Sequence, residues 1–154
     1  MDIAVGVVVR PVAADDLGAL ITLRRMWAEE TDGPTDDAGY EDRFADWFER
    51  TLPTRRAWLA LLPTGEAVGM MTMGLFERMP KPGTVQSFWG YLSHAFVAPG
   101  YRNAGVGRML LDALLDHARA ENFARVVLHP ADRAIPFYER AGFSTADMLL
   151  VQHF

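Results

Sequence analysis

The sequence predicts one α/β (α+β) domain over residues 1–154, in which a mixed, mostly antiparallel sheet carries helices on both faces. The length of 154 residues suits a single domain, since domains cluster at roughly 100–150 residues. Segments at strand and at helix periodicity follow one another along the chain. A strand–helix–strand unit within residues 89–129 requires one parallel pair of strands.

The amino-terminal third begins with a strand and continues with two helices. The run IAVGVVVR over residues 3–10 is rich in β-branched side chains and predicts a strand. Apolar side chains at helical spacing predict a helix over residues 15–30, with Asp15 or Asp16 as its N-cap. The same spacing predicts a second helix over residues 38–51.

The middle of the chain supplies most of the sheet. Segments 57–62 and 67–76 flank a Pro-Thr-Gly-Glu turn, which predicts a hairpin. Residues 89–97 predict the next strand, residues 104–121 an amphipathic helix, and residues 124–129 a short buried strand. The strands at 89–97 and 124–129 should therefore form the parallel pair.

The carboxyl-terminal part predicts one more helix and one more strand. The helix covers residues 132–141, and Gly142 follows it in the position that favours a left-handed cap. Residues 145–153 predict the last strand. The long connection over residues 76–88 is the kind of loop that often borders a site.

Composition excludes several function classes. The absence of cysteine excludes a disulfide scaffold, a zinc–thiolate or iron–sulfur centre and a cysteine nucleophile, and it favours a cytoplasmic protein. The net charge of −5 argues against a nucleic-acid partner. No segment resembles a signal peptide or a membrane span, so we expect no membrane partner.

The charge is unevenly distributed. Residues 1–77 contain 14 acidic and 7 basic side chains, whereas residues 78–154 contain 6 and 8. One explanation is a solvated acidic face. The other is a two-sided site in which a cationic substrate meets the first half and an anionic cofactor the second.

The most informative segment is the Arg-x-x-Gly-x-Gly pattern that starts at Arg102, between a predicted strand and a predicted helix. Gly105 and Gly107 let an anion approach the backbone, and the free amides of a helix start favour negative charge. Arg102 and Arg108 can add charge-assisted contacts. Leu110 stands where a dinucleotide fingerprint has its third glycine, and no Gly-Lys-Ser/Thr follows for a Walker motif.

Residues 97–111 resemble motif A of the GNAT superfamily of N-acetyltransferases, in which a strand ending in Val-x-Pro leads into Arg-x-x-Gly-x-Gly and a helix. Residues 134–143 (AIPFYERAGF) resemble the next motif of that superfamily. The order of elements matches the whole fold. The resemblance implies a GNAT-like sheet whose parallel strands, 89–97 and 124–129, splay apart around acetyl-coenzyme A as cosubstrate.

The resemblance also assigns binding and catalytic residues. Backbone groups of Phe96 and Val97 would bond the pantetheine arm, Arg102 would add charge, and the pyrophosphate would lie on the amides of Asn103, Ala104, Gly105, Val106, Gly107 and Arg108. Tyr138 matches the tyrosine that many members use as general acid. Many members carry an asparagine where this chain has Ala131, so contacts there are missing or replaced. The resemblance implies no metal.

The general base is left open by the sequence. Some members place a carboxylate on the strand at 89–97, but this strand has none, and His94 is its only group that titrates near neutral pH. His94 is either that base or a packed strand histidine. Water, or an amine that arrives neutral, would also serve, and His129 is a weaker candidate.

Most of the residues predicted to bind the acceptor amine lie in the acidic first half of the chain. Residues 29–49 hold nine acidic side chains and one arginine, and in the superfamily this region borders the acceptor. An acidic, aromatic-edged mouth would attract a cationic amine. The candidate substrate-binding residues are Trp27, Glu30, Asp32 and Trp89, although the tryptophans also suit a core.

The predicted function is therefore transfer of an acetyl group to a primary amine of a small molecule or peptide. Without a cysteine to carry an acyl group, the amine would attack directly in a ternary complex. An aminoglycoside, a polyamine, a free amino acid and a peptide amino terminus all remain open, and the resemblance allows a homodimer. The alternatives are a catalytically silent domain that binds acyl-coenzyme A, and transfer to oxygen or from a longer acyl donor.

Overall fold

The computed structural model describes residues 6–154. Its strands are, in chain order, β1 (Val8–Pro11), β2 (Arg55–Leu61), β3 (Ala67–Glu77), β4 (Phe88–Val97) and β5 (Arg125–Leu128). Its helices are α1 (Leu17–Asp32), α2 (Tyr40–Thr51), α3 (Val106–Ala120) and α4 (Ile135–Arg140). Short 3-10 turns precede α1, β2, α3 and α4.

The strands form one mixed sheet in the order β1-β2-β3-β4-β5. Neighbours from β1 to β4 are antiparallel, and β4 pairs with β5 in parallel. The crossover between β4 and β5 contains α3, because strands that run in the same direction need a connection across the sheet. The predicted fold class, including the parallel pair, is confirmed.

The sheet is buried on both faces. On one face Trp58, Met71 and Leu92 pack against Leu110 and Leu114 of α3. On the other face, the residues that alternate with these along β2 and β3 pack against α1 and α2, as the two-residue repeat of a strand requires. That second core contains Leu20, Leu23, Phe48, Leu59, Met70 and Phe96.

Most predicted elements occur within two residues of their predicted bounds. β1 begins later than the predicted strand, whose residues 3–5 lie outside the described residues. Asp16 is the N-cap of α1, but its carboxylate binds Arg10 and the Ala13 amide instead of capping the helix. Gly142 has φ +99° and follows α4 as predicted, and the Phe143 amide donates to the Tyr138 carbonyl at 3.1 Å.

The predicted strand over residues 145–153 is wrong. This segment has no regular structure, and Met148 and Leu150 are almost fully exposed. A strand exists only when its backbone pairs with a neighbour, and β5 pairs only with β4 within the described residues. Residues 145–153 therefore have the β propensity of a strand but no neighbouring strand within residues 6–154 with which to form backbone hydrogen bonds.

Two further properties of residues 6–154 bear on function. None of their helices is long and apolar enough to cross a membrane. No group of three or more histidine and carboxylate side chains among them is arranged to hold a metal ion.

Candidate active site

The parallel strands separate part way along their length. β4 pairs with β5 from Trp89 to Leu92, and the Ala124 amide also donates to the Phe88 carbonyl. After Leu92, no strand among the described residues pairs with β4 on that side. At the same point Thr72 lies opposite His94 and Met73 lies opposite Leu92, so Ser93 is an extra residue in β4. Such a bulge bends a strand and leaves backbone groups unpaired. The result is an open wedge between β4 and β5.

The wedge contains a cavity of about 430 Å³. Ser93 and Phe96 line it from β4, His129 and Ala131 from the end of β5, and Tyr138 from α4. Trp27 and Glu30 of α1 close the remaining side. The wedge therefore brings together the predicted general acid, the predicted pantetheine-binding strand and two predicted acceptor residues.

A second cavity of about 720 Å³ adjoins the wedge at the start of α3. The two share Phe96, Val97 and Arg102 in their walls, so they form one continuous groove. The second cavity is lined by four arginines and by no carboxylate. These are Arg102, Arg108, Arg133 and Arg140. This end of the groove is built for an anion.

The backbone at this end supports the same conclusion. Asn103 and Gly105 have positive φ, +58° and +88°, and Gly105 is the N-cap of α3. The amides of the first turn of a helix have no acceptor within the helix, so those of Val106 to Arg108 are free for a ligand. A Cβ on Gly107 would meet Phe137 at 3.7 Å and Val97 at 3.8 Å, which are ordinary van der Waals distances, so packing alone does not require a glycine there.

Arg102 links the two halves of the chain. Its Nη1 and Nη2 each donate to the Glu30 carboxylate at 2.8 Å, and its Nε donates to the Val97 carbonyl at 2.8 Å. The guanidinium lowers the pKa of the Glu30 carboxyl mainly through these hydrogen bonds. A predicted cofactor residue and a predicted acceptor residue are thus paired with each other. Arg108 is held by Asp112 at 2.8 Å.

Tyr138 packs in the core on the α3 side of the sheet. Only 8% of the residue is exposed, and its ring makes edge contacts with Phe137 and Phe143. Burial raises the pKa of its phenol. The tyrosine is therefore a rigid, neutral hydroxyl group at the wall of the wedge.

His94 lies on the opposite face of β4, where its ring meets the edge of Trp27 with centroids 6.1 Å apart. Its Nδ1 is 2.8 Å from the Thr72 hydroxyl, which is 3.1 Å from the Ser93 hydroxyl. Desolvation lowers the pKa of His94, and the charges of Arg24 and Arg55 lower it further. The imidazole is therefore neutral at pH 7.

A third cavity of about 220 Å³ lies beside His94 between the sheet and helices α1 and α2. Its walls are mostly apolar and aromatic. We call it the apolar pocket and define it by Leu20, Arg24, Tyr40, Phe44, Trp47 and His94, with Met70 and Thr72 at its base. Trp27 lines the wedge and borders this pocket, because its ring stacks on Phe96 and meets the His94 ring edge-on.

Two predicted acceptor residues lie elsewhere. Trp89 stacks on Phe76 at 4.4 Å near the start of β4, the opposite end of that strand from the wedge. The loop over residues 76–88 joins β3 to β4 at the same distant end. Asp32 is exposed at the end of α1 and lines none of the three cavities.

Sequence reasoning missed several residues of the groove. Arg133 and Arg140 lie about seven residues apart on either side of Tyr138, and their only signal was the excess of basic residues in the second half of the chain. Tyr40 and Trp47 of the apolar pocket belong to the aromatic edge that the sequence predicts beside the acceptor, whereas Phe44 had only the spacing of an ordinary core residue.

Comparison with known proteins agrees with this geometry. Residues 20–143 match the model of the acetyltransferase (GNAT) family, so the chain belongs to that family. Among curated proteins it is similar to a glucosamine 6-phosphate N-acetyltransferase of Trypanosoma brucei brucei, with 31% identity over 81 residues. The match covers 53% of this chain and 53% of the relative, so the chain aligns with about half the length of that protein.

Two solved structures share the fold. One is a predicted acetyltransferase of Clostridium acetobutylicum with acetyl-CoA, at 18% identity and a TM-score of 0.74, covering 96% of both chains. The other is an aminoglycoside acetyltransferase from an uncultured soil metagenomic sample in complex with trehalose. It has 18% identity and a TM-score of 0.76, and the match covers 99% of this chain and 97% of that one.

Proposed function

We propose that this chain transfers an acetyl group from acetyl-coenzyme A to a primary amine by direct attack within a ternary complex. The observation that supports this most is the continuous groove. It joins an anion-binding helix start, lined by arginines, to a wedge walled by a buried tyrosine. The named relatives support a small-molecule acceptor, since one acts on an amino sugar phosphate and another on aminoglycosides by their names.

The groove fits acetyl-coenzyme A on its own chemistry. The phosphates would lie on the amides of Val106 to Arg108 beside the arginines, because both groups favour anions. The unpaired backbone of β4 at Phe96 and Val97 would bond the pantetheine arm within the wedge. Acetyl-coenzyme A supplies the acetyl group as an activated thioester. Ala131 offers no side-chain hydrogen bond at the end of β5, so the backbone would serve on that wall, while Ser93 lines the wedge from β4.

Tyr138 would act as the general acid. Because burial raises the pKa of its phenol, the hydroxyl keeps its proton throughout the neutral range. It can then donate that proton to the departing sulfur, whose thiol has a pKa of ~8.5. Packing between Phe137 and Phe143 fixes the ring, so the proton is held at one position on the wedge wall.

His94 would act as the general base on the acceptor side. With a proton on Nδ1, the imidazole donates to Thr72, and Thr72 donates to Ser93. This order leaves Nε2 without a proton and able to accept one from the amine. The lowered pKa keeps the imidazole neutral, which a base requires. A water molecule at the same position could relay the proton.

The remaining parts of the hypothesis come from the sequence alone. A cytoplasmic location, a single domain over residues 1–154 and a homodimer stay predictions. The absence of cysteine still restricts the chemistry to direct transfer, because no thiol is present to hold an acyl group.

The test is release of free thiol from acetyl-coenzyme A across a panel of amines, with the acetylated product detected by mass. A calorimetric titration with acetyl-coenzyme A runs beside it. We expect binding together with amine-dependent thiol release. Tight binding with no turnover on any amine would contradict transfer and favour the acyl-coenzyme A binding domain.

A further inference from the structure

The walls of the apolar pocket indicate which chemical groups an acceptor that binds there must carry. Leu20, Phe44 and Trp47 present aliphatic and aromatic surface around a volume of about 220 Å³. An apolar group binds favourably to such a surface because it displaces water. The hydroxyl groups of a sugar would lose their hydrogen bonds to water there without gaining new ones. The space suits one aromatic or branched aliphatic side chain.

The charges around the pocket are positive. Arg24 lines it and stacks over Trp27, and no carboxylate forms an ion pair with Arg24 within residues 6–154. Arg55 is buried nearby, against the rings of Trp47 and Phe48, and its hydrogen bonds go to Thr51 and a carbonyl. Desolvation is the main reason why the pKa of His94 is lowered, and both positive charges lower it further.

The acidic side chains of residues 29–49 do not offset this charge. None of the nine lines the apolar pocket. Glu30 is bound to Arg102, Asp37 to Arg43, and Glu41 lies 4.0 Å from Arg25. The predicted acidic mouth therefore lies outside the pocket that adjoins His94.

Tyr40 adds an unused hydrogen-bonding group. Its hydroxyl is the buried side-chain polar atom without a partner among the described residues. Burial raises the pKa of this phenol, so it is a neutral donor at pH 7. A buried hydroxyl without a partner is unfavourable, and a ligand oxygen that accepts its hydrogen bond would remove that penalty.

We propose that the acceptor amine carries an apolar side chain and a carboxylate, the chemistry of an apolar α-amino acid. The side chain would fill the space beside Phe44 and Trp47. The carboxylate would pair with Arg24 and accept a hydrogen bond from Tyr40. The amine would then lie toward His94 and Trp27, on the side of the wedge. This inference rests on the proposed function and narrows its substrate class.

The first experiment measures binding without chemistry. Tryptophan fluorescence is titrated with 3-phenylpropionate, which lacks the amine, and with its uncharged amide, both in the presence of coenzyme A. We expect the acid to bind about tenfold more tightly than the amide, as a charge-assisted contact would give. In Arg24→Met the acid and the amide should bind almost equally tightly. The matched control is Arg50→Met, an exposed arginine of α2 away from the pocket.

The second experiment measures turnover. Phenylalanine and leucine should be acetylated with kcat/KM about tenfold or more above phenethylamine, which lacks the carboxylate, and above glycine, which lacks the side chain. Spermidine and an aminoglycoside should be poorer still, because the pocket is positive and apolar.

The outcomes separate the two hypotheses. Turnover that favours polyamines, aminoglycosides or glucosamine 6-phosphate over apolar amino acids would leave acetyl transfer standing and overturn this inference. Equal binding of the acid and the amide would also overturn it. Binding of the acid that depends on Arg24, with no turnover on any amine, would support the ligand class and contradict the proposed function.

Discussion

At the scale of single residues, the proposed mechanism depends on two side chains whose pKa values are shifted in opposite directions. Tyr138 is buried on the α3 side of the sheet, and its phenol keeps its proton to higher pH. His94 is half-buried on the α1 side, and its imidazole loses its proton at lower pH. Desolvation is the main cause in both cases, because it disfavours the charged form of each group. At neutral pH one can donate a proton and the other can accept one.

Tyr138→Phe should lower kcat by about 10²-fold while leaving the fold intact, because the ring and its aromatic contacts remain. In the unsubstituted protein the basic limb of kcat should lie above the ordinary tyrosine pKa of 10.0. Steady-state kinetics over a range of pH measures both the fall in kcat and the position of its basic limb. Tyr91→Phe, at a partly exposed position of β4, is the control. An unchanged kcat in Tyr138→Phe would exclude the general-acid role.

His94→Gln should remove the acidic limb of kcat/KM. The limb should lie below pH 6.5 in the unsubstituted protein, because the pKa of His94 is lowered from that ordinary value and the base works only when neutral. A pH–rate profile with one good amine substrate checks this, and His153→Gln at an exposed position is the control. If the acidic limb persists in His94→Gln, water or another group removes the proton.

At the scale of elements, the start of α3 depends on its glycine cap. Gly105 has φ +88°, a conformation that other residues adopt only at a cost, while nothing lies within 4 Å of its absent Cβ. The backbone conformation therefore decides the residue at this position, whereas a Cβ on Gly107 would make ordinary van der Waals contacts with Phe137 and Val97. Both glycines shape the same row of free amides.

Gly105→Ala should lower the free energy of unfolding by about 1–2 kcal/mol through backbone strain and should weaken acetyl-coenzyme A binding. Chemical denaturation and calorimetry measure the two effects. Gly100→Ala is the matched control, since Gly100 also has open space around it and has no positive φ. Equal effects of the two substitutions would contradict a special role for Gly105.

At the scale of the whole molecule, the Arg102–Glu30 pair joins elements 72 residues apart in the chain. It connects α1, on the proposed acceptor side, to the loop that precedes α3, on the proposed coenzyme A side. Both side chains are more than a third exposed, so solvent screens the pair and its contribution to stability is small. Its importance lies in holding Arg102 at the junction of the two cavities.

Glu30→Gln should free the Arg102 guanidinium for phosphate and tighten binding of coenzyme A, with little change in Tm. The salt dependence of the Kd should steepen, because one more unpaired positive charge contacts the ligand. Titration calorimetry at two salt concentrations measures this, and Glu29→Gln is the neighbouring control. Weaker binding would show instead that the pair positions the loop for its ligand.

Much of the fold could be predicted from the sequence. The helices and strands from β1 to α4 follow periodicity and turn signals that act over a few residues, and the Arg-x-x-Gly-x-Gly motif located the start of α3. The strand predicted at 145–153 failed, because pairing depends on a neighbour that local sequence does not specify. Trp89 was a reasonable acceptor candidate by sequence, yet its place on β4 is distant from the wedge.

The sequence by itself determined the family motifs, the absence of a cysteine nucleophile and the uneven charge of the two halves. Only the tertiary structure decided where that charge acts. Folding pairs Glu30 with Arg102, gathers Arg133 and Arg140 at the groove, and leaves Arg24 beside an apolar pocket without a carboxylate. Electrostatic interactions depend on distance and burial, and neither is determined by counting residues along the chain.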